Sequence, residues 1–304
     1  MHILLTDLHQ SAAERLCTHY SLIGLTMKKH ILIAGCGNLG AAVGEQLVQA
    51  GHRVTGLRRS DVLDTQGIDY LQADLSEPRT LRVVPTDIDL LIIIVTPSDY
   101  SDAGYRAIYL EAVANLLTYF SGQGVLPPVI YVSSTRVYGQ SQGEWVDEES
   151  ETSPADEKGR ILLEAEQQVL AFGGTKNTVV RFSGIYDAGS QFMQRLVKQG
   201  NPIQFDPPVF TNRVHREDCV RALVFLVQKR LAGEALETHY LVSDDEPAAK
   251  WEVINWLAQS MELPSPEKAI CEADVGQGKR CRNKRIRKTG FSFKYPTYRE
   301  GYEQ

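Results

Sequence analysis

Between Lys28 and Phe182, short apolar runs alternate with amphipathic stretches. His30–Ala34, Arg53–Leu57, Asp69–Leu71, Leu90–Val95, Val129–Val132 and Thr178–Phe182 read as strands, with helices at Leu39–Gln49, Tyr105–Tyr119 and Lys158–Phe172 between them. Strands this apolar, separated by helices, predict a parallel sheet covered on both faces, a doubly wound α/β layout. After Phe182 the pattern changes to loops rich in Pro and Gly, with helices expected at Gln191–Gln199, Glu217–Lys229 and Lys250–Met261 and a strand at His239–Val242. The expected organisation is a nucleotide-binding unit over 27–182 and a small mixed α/β cap over 183–304, interleaved with the last sheet strands. Met27 looks like a second start just ahead of the first strand. Residues 1–26 therefore read either as an N-terminal appendage or as an extra strand and helix.

Composition narrows the class. The 304 residues are 43% hydrophobic and carry a formal net charge of −6, enough chain to bury a full core without disulfide or metal staples. The longest apolar run is far short of the roughly 18–20 residues that span a bilayer, and Met1–Thr26 has no basic start or cleavage site of a secretory signal. Five widely spaced cysteines without a C-x-x-C pair read as reduced thiols, so a cytoplasmic protein is expected. An acidic chain is a poor general nucleic-acid binder. The charge is nevertheless uneven: seven of the ten residues Lys279–Lys288 are basic, which leaves 25 basic against 38 acidic residues elsewhere.

The residues after the first strand carry the clearest chemistry. Gly35-Cys36-Gly37-Asn38-Leu39-Gly40 is G-x-G-x-x-G set between a strand and a helix, as in a Rossmann-like βαβ unit. The first glycine permits the tight turn, the second a close backbone approach to pyrophosphate, and the third close helix–strand packing. The anion would rest on the helix N-terminus, where free N–H groups and the macrodipole favour it. Gly35, Gly37, Asn38, Leu39 and Gly40 are therefore candidate cofactor contacts. At the end of the second strand, Gly56-Leu57-Arg58-Arg59-Ser60 has no carboxylate for ribose hydroxyls. Arg58 and Arg59 instead suit a 2′-phosphate through charge-assisted hydrogen bonds, which favours NADP(H), with NAD(H) as the alternative. The plain reading is that both arginines are solvated.

Four further segments follow in order: Ala73-Asp74-Leu75, Val132-Ser133-Ser134-Thr135-Arg136-Val137-Tyr138-Gly139, Arg181-Phe182-Ser183-Gly184-Ile185-Tyr186 and Asn212-Arg213-Val214-His215-Arg216-Glu217-Asp218. With the glycine loop, they resemble the extended short-chain dehydrogenase/reductase superfamily, also called the NAD-dependent epimerase/dehydratase family, over about Lys28–Tyr302. The resemblance implies a Rossmann-like fold with a small C-terminal substrate-binding cap. It also implies adenine contacts at Asp74 and Leu75, cofactor contacts at Thr96 and Ser133, and a catalytic hydroxyl at Ser134. Tyr138 is expected to pack, and Asp218 to cap a helix N-terminus.

The departures bear on function. Ala34 replaces the family's first glycine. The family's catalytic Y-x-x-x-K, expected about 20–25 residues after Ser134, is missing: Ser153–Glu166 contains no tyrosine. In the family, that tyrosine moves a carbinol proton and the lysine lowers its pKa, without which a phenol near pKa 10 is idle at pH 7. One alignment puts Lys158 and Leu162 in the two positions; another puts Asp156 and Arg160 there. Lys158 is a candidate proton donor if burial or a neighbouring cation lowers its pKa, against the plain reading of a solvated lysine at a helix start.

The basic segment resembles a K-R-x-x-N-x-R/K-L/I-x-x-x-G-F/W stretch of atypical members. Lys284, Arg285, Arg287 and Lys288 would lie on a short helix docked by Ile286 and Phe291. Lys279 and Arg280 precede it and could turn into the cleft, toward a phosphate-bearing substrate, or the whole stretch is a solvated basic face. No metal or hydrolase motif occurs, and His215 is expected to be structural. The sequence thus points to an NADP(H)-binding oxidoreductase or epimerase-like enzyme acting by hydride transfer on a small polar or nucleotide-sugar-like molecule. The missing pair motivates the alternative, a catalytically silent cofactor-binding regulator. Nucleic-acid and membrane partners are not expected.

Overall fold

The computed structural model of the protein describes residues 28–60, 66–173, 176–187, 189 and 191–303. The question raised by residues 1–26 lies outside them. The apolar runs form seven parallel strands: β1 His30–Ala34, β2 Arg53–Arg58, β3 Asp69–Gln72, β4 Leu90–Ile93, β5 Val129–Ser134, β6 Thr178–Phe182 and β7 His239–Val242. Their order across the sheet is β7-β6-β5-β4-β1-β2-β3, every adjacent pair parallel. The order reverses between β1 and β4, which opens a crevice at their carboxyl ends.

Six helices carry the two covering layers and the cap: α1 Asn38–Gln49, α2 over 102–122, α3 Glu157–Ala171, α4 Gln191–Gln199, α5 Arg216–Leu231 and α6 Lys250–Ser260. Helix α2 contains a π-helical stretch, Arg106–Ala112. Side chains of a strand alternate between faces. Accordingly, Ile31 and Ile33 of β1 pack into the layer of α1 and α5, with Val43, Leu47, Leu223 and Val227. Leu32 and Ala34 face α2 and α3, with Leu116, Phe120, Ala165 and Val169. A second core, Val197, Ile203, Val253, Ile254, Leu257 and Tyr298, joins α4 and α6 to the short helix Tyr298–Tyr302.

Three further two-stranded parallel pairs stand apart from the large sheet. Gln142–Val146 lies parallel to Gly278–Cys281, Gly184–Tyr186 to Arg213–His215, and Ile203–Asp206 to Lys268–Ile270. The basic tail forms the short helix Lys284–Lys288, held down by fully buried Ile286 and by Phe291, as its sequence suggests.

Two polar groups near α5 behave differently from each other. His215 is the N-cap, its Nδ1 accepting the Glu217 N–H at 3.2 Å. Asp218 is not the cap that the sequence suggests. It sits one turn inside, fully buried, and its carboxylate accepts the backbone N–H groups of Lys294 and Tyr295, both at 2.8 Å. A carboxylate that far into the turn meets the returning C-terminal chain before it meets the helix end. Among the described residues, no helix is long and apolar enough to cross a membrane.

Candidate active site

The turn after β1 begins the site. Gly35 has φ +81°, a left-handed conformation, and a Cβ there would strike the Ile94 carbonyl at the end of β4, so glycine is required on both counts. A Cβ at Gly40 would lie 3.1 Å from the Gly35 oxygen and 3.2 Å from Ile33 Cγ2, which is the close packing of helix on strand. At Gly37 a Cβ would meet nothing within 4 Å, so the chain there faces open space. Gly37 is also the N-cap of α1, with no side chain capping the helix. The first intrahelical bond runs from the Ala41 N–H to the Gly37 carbonyl at 2.7 Å. The amides just before Ala41, at Asn38, Leu39 and Gly40, are thus the ones available to an anion.

A cavity of about 250 Å³ adjoins this turn, lined by Gly35, Gly37, Arg58, Arg59, Ser60, Asp74, Leu75, Thr96 and neighbouring apolar side chains. It brings together residues from the carboxyl ends of β1, β2, β3 and β4. Asp74 is held in a local turn, its Oδ1 accepting the Ser76 N–H at 2.9 Å and the Ser76 hydroxyl at 2.5 Å. The hydroxyl bond keeps the Asp74 carboxyl below the usual range. Arg58 is half-buried and donates to Ser60 Oγ at 3.0 Å, whereas Arg59 is exposed.

The second group of candidate residues stands at the ends of β5 and β6. Ser134 caps a 3-10 turn, Thr135–Val137, its hydroxyl accepting the Arg136 N–H at 3.2 Å. Ser133 Oγ and Ser183 Oγ are buried without a hydrogen-bond partner among the described residues. The turn is held from below. Arg181, 3% exposed, forks the Glu166 carboxylate through Nε at 3.0 Å and Nη2 at 2.6 Å, and its Nη1 donates to Tyr138 Oη at 2.8 Å. Tyr138 packs, as its sequence context suggests.

At the start of α3, the region of the two alternative alignments for the missing tyrosine, Asp156 and Lys158 stand two residues apart. Asp156 caps the helix through Gly159 N at 2.8 Å and is forked by Arg136, with Nε at 3.0 Å and Nη2 at 2.6 Å. The Arg136 hydrogen bonds hold the Asp156 carboxyl at about 2. Lys158, half-buried one residue into the helix, sets its ammonium 5.4 Å from the Tyr105 ring centroid. Neither Lys158 nor Ser134 lines the cavity beside the glycine turn.

One contact with this region comes from far along the chain. Lys279, half-buried on the strand paired with Gln142–Val146, donates through Nζ to the Tyr138 carbonyl at 2.7 Å. Burial lowers its pKa, and the charges of Asp156 and Arg136 act on it too. Lys279 is thus tied to the backbone of the turn after β5. Arg280, on the opposite side of the strand, lies between the Trp145 and Phe210 rings, 4.9 and 4.8 Å away, and donates to the Gly143 carbonyl. Arg285 and Arg287 are paired with Glu149 and Asp245. Much of the tail is thus a paired basic face. The Arg136–Asp156 pair was not anticipated, although Asp156 three residues before Gly159 carries an N-cap signal.

Residues 28–301 match the RmlD substrate-binding domain family. The chain is 27% identical to protein YeeZ of Escherichia coli K12 over 280 residues, covering 88% of this chain and 97% of that one. A solved structure from Methylobacillus flagellatus, assigned provisionally as an NAD-dependent epimerase/dehydratase, is 33% identical. It superimposes with a TM-score of 0.75 over 90% of this chain and 96% of its own. A short-chain dehydrogenase/reductase superfamily protein from Agrobacterium tumefaciens, solved with bound NAD, shares the fold at 20% identity. Its TM-score is 0.73, over 90% of this chain and 95% of that one.

Proposed function

Because the chain belongs to the RmlD substrate-binding domain family, and through it to the extended short-chain dehydrogenase/reductase superfamily, we propose that it is an NADP(H)-dependent oxidoreductase or epimerase-like enzyme acting on a small polar carbonyl or carbinol compound. The observation that carries this reading is the open glycine turn at Gly37, with the uncapped start of α1 behind it and two arginines at the end of β2. The turn and the amides of Asn38, Leu39 and Gly40 would take the pyrophosphate, and Arg58 and Arg59 a 2′-phosphate. Asp74 and Leu75 would take the adenine, with Thr96 and Ser133 toward the nicotinamide end. The bound dinucleotide supplies the hydride chemistry.

The chain's own residues then have the proton to manage. Ser134, at the end of β5 beside the unpartnered Ser133 and Ser183 hydroxyls, orients the reacting oxygen. With no tyrosine at the start of α3, the proton falls to an ammonium group. Lys279 is the better placed of two, since burial already lowers its pKa and its Nζ reaches the turn that Ser134 opens. Lys158, beside Tyr105, is the other.

The test is to titrate the protein with NADPH and NADH, then follow NADPH oxidation at 340 nm against panels of carbonyl compounds and nucleotide sugars. Binding of NADPH with turnover that Ser134→Ala removes is the expected result. Preference for NADH would overturn the cofactor assignment. Tight NADPH binding without turnover on any compound would favour a second reading, a cofactor-responsive binding protein. That reading draws on the absence of a tyrosine from Ser153–Glu166, where one of the two alignments puts the ion-paired Asp156 in its place.

A further inference from the structure

We infer that Tyr70 is the positioning residue that gives this site its selectivity for a 2′-phosphate, by holding the Arg58 guanidinium ready over its ring; this rests on the NADP(H) reading above. Arg58 and Arg59 are adjacent and equally charged, but the structure treats them differently. Arg59 is exposed; its carbonyl accepts from Gln72 Nε2 at 2.9 Å, and its charge acts on the Asp74 carboxylate. The Arg58 guanidinium lies 5.9 Å from the Tyr70 ring centroid, with Nη2 on Ser60 Oγ at 3.0 Å. Its Nε is buried without an acceptor, and it forms no ion pair among the described residues. A cation held at an aromatic face, its charge unpaired among the described residues, is set for an incoming anion.

The ring is itself fixed from below. Tyr70 of β3 stands in register with Gly56 of β2. A Cβ at Gly56 would come within 3.0 Å of Tyr70 Cε1 and 2.8 Å of Cys36 Sγ, so glycine there lets the ring lie down across β2. The Tyr70 hydroxyl accepts from Cys36 Sγ at 3.9 Å. Cys36 lies between Gly35 and Gly37, so a single ring braces the pyrophosphate turn and the arginine together. Burial pushes the Tyr70 phenol up to about 12, which keeps it neutral beside the guanidinium. Arg59 adds charge but must be ordered when the ligand arrives, whereas Arg58 is ordered beforehand and gives up less freedom.

Binding measured by calorimetry with 2′,5′-ADP and with 5′-ADP, neither of which contains nicotinamide, isolates this end of the site. Native protein should bind 2′,5′-ADP at least about tenfold more tightly, the scale of one charge-assisted contact. Arg58→Met should erase that ratio. Tyr70→Leu should reduce it about fivefold or more while leaving 5′-ADP affinity within about twofold, and Tyr70→Phe should keep it. Tyr70→Gln takes the place of the leucine variant if that fails to fold. If native protein prefers 5′-ADP, the NADP(H) reading itself fails. If native protein and Arg58→Met behave as stated but the non-aromatic variants keep the ratio, the role of Tyr70 is refuted and the NADP(H) reading stands. Equal weakening of both ligands in the Tyr70 variants would mean a merely structural ring and would also overturn the proposal.

Discussion

Glu166 and Arg181 should be the most costly polar pair to break in this molecule. Their side chains are 1% and 4% exposed. Arg181 spends Nε and Nη2 on Glu166 and Nη1 on Tyr138. In Glu166→Ala, the guanidinium keeps one phenol oxygen as acceptor and loses its counter-charge in a place that water does not reach. Removing one partner of a buried pair typically costs about 3–5 kcal/mol. Set against the roughly 5–15 kcal/mol that stabilises an ordinary domain, that is about a fifth of the total or more. Urea unfolding followed by far-UV circular dichroism reads the change as a shift in midpoint at unchanged slope. The companion variant Glu166→Leu/Arg181→Met, which removes both charges and keeps apolar volume, should recover most of the loss, because the penalty comes from the orphaned ion more than from the missing attraction. A Glu166→Ala cost below about 1 kcal/mol, or a double variant as unstable as the single, would refute the reasoning.

Three other outcomes are expected. Gly35→Ala should abolish NADPH binding in calorimetry and lower stability by more than the ~1–2 kcal/mol of a left-handed alanine, since its Cβ also meets the Ile94 carbonyl. His239 is held at about 4 by burial, with Arg181 and Arg285 adding to the effect. The native ring therefore binds fewer protons than the unfolded one between about 4 and 6.5, and it withdraws stability as pH falls through that window. Compared with His239→Asn, the native protein should lose more on going from pH 7 to pH 4.5, on the order of 1–2 kcal/mol after allowing for its partial exposure, in urea titrations at each pH. If the proton role falls to Lys279, Lys279→Met should cut NADPH-dependent turnover on any accepted compound by about a hundredfold or more with little change in NADPH affinity. Equal activity in that variant and loss in Lys158→Met would transfer the role to Lys158.

The strands were legible because their apolar runs need no partner to be recognised. His30–Ala34, Thr178–Phe182 and His239–Val242 agree with the structure residue for residue. The glycine turn was equally legible, since each of its glycines answers a local demand. The short pairings were not. A two- or three-residue strand such as Phe210–Thr211 or Lys268–Ile270 has too few positions to carry a period, and it exists only because a distant segment meets it. The Arg136–Asp156 fork was hidden for the same reason: the two lie 20 residues apart and come together only when α3 docks beside the turn after β5. Sequence marked Arg58 and Arg59 as a pair, but nothing in their order separates the half-buried one from the exposed one. That distinction depends on a ring brought in by β3.

The contact from Lys279 to the Tyr138 carbonyl joins residues 141 positions apart in the chain. All but one of the sheet strands, together with the glycine turn and α3, are synthesised before residue 190, and domains tend to organise as they emerge. The crevice beside the glycine turn is therefore expected to exist on a nascent chain well before Lys279 has been translated. On the function proposed above, an intermediate of that kind would bind the dinucleotide yet lack the proposed proton donor. Binding and reactivity would then arise at separate moments in the life of each molecule.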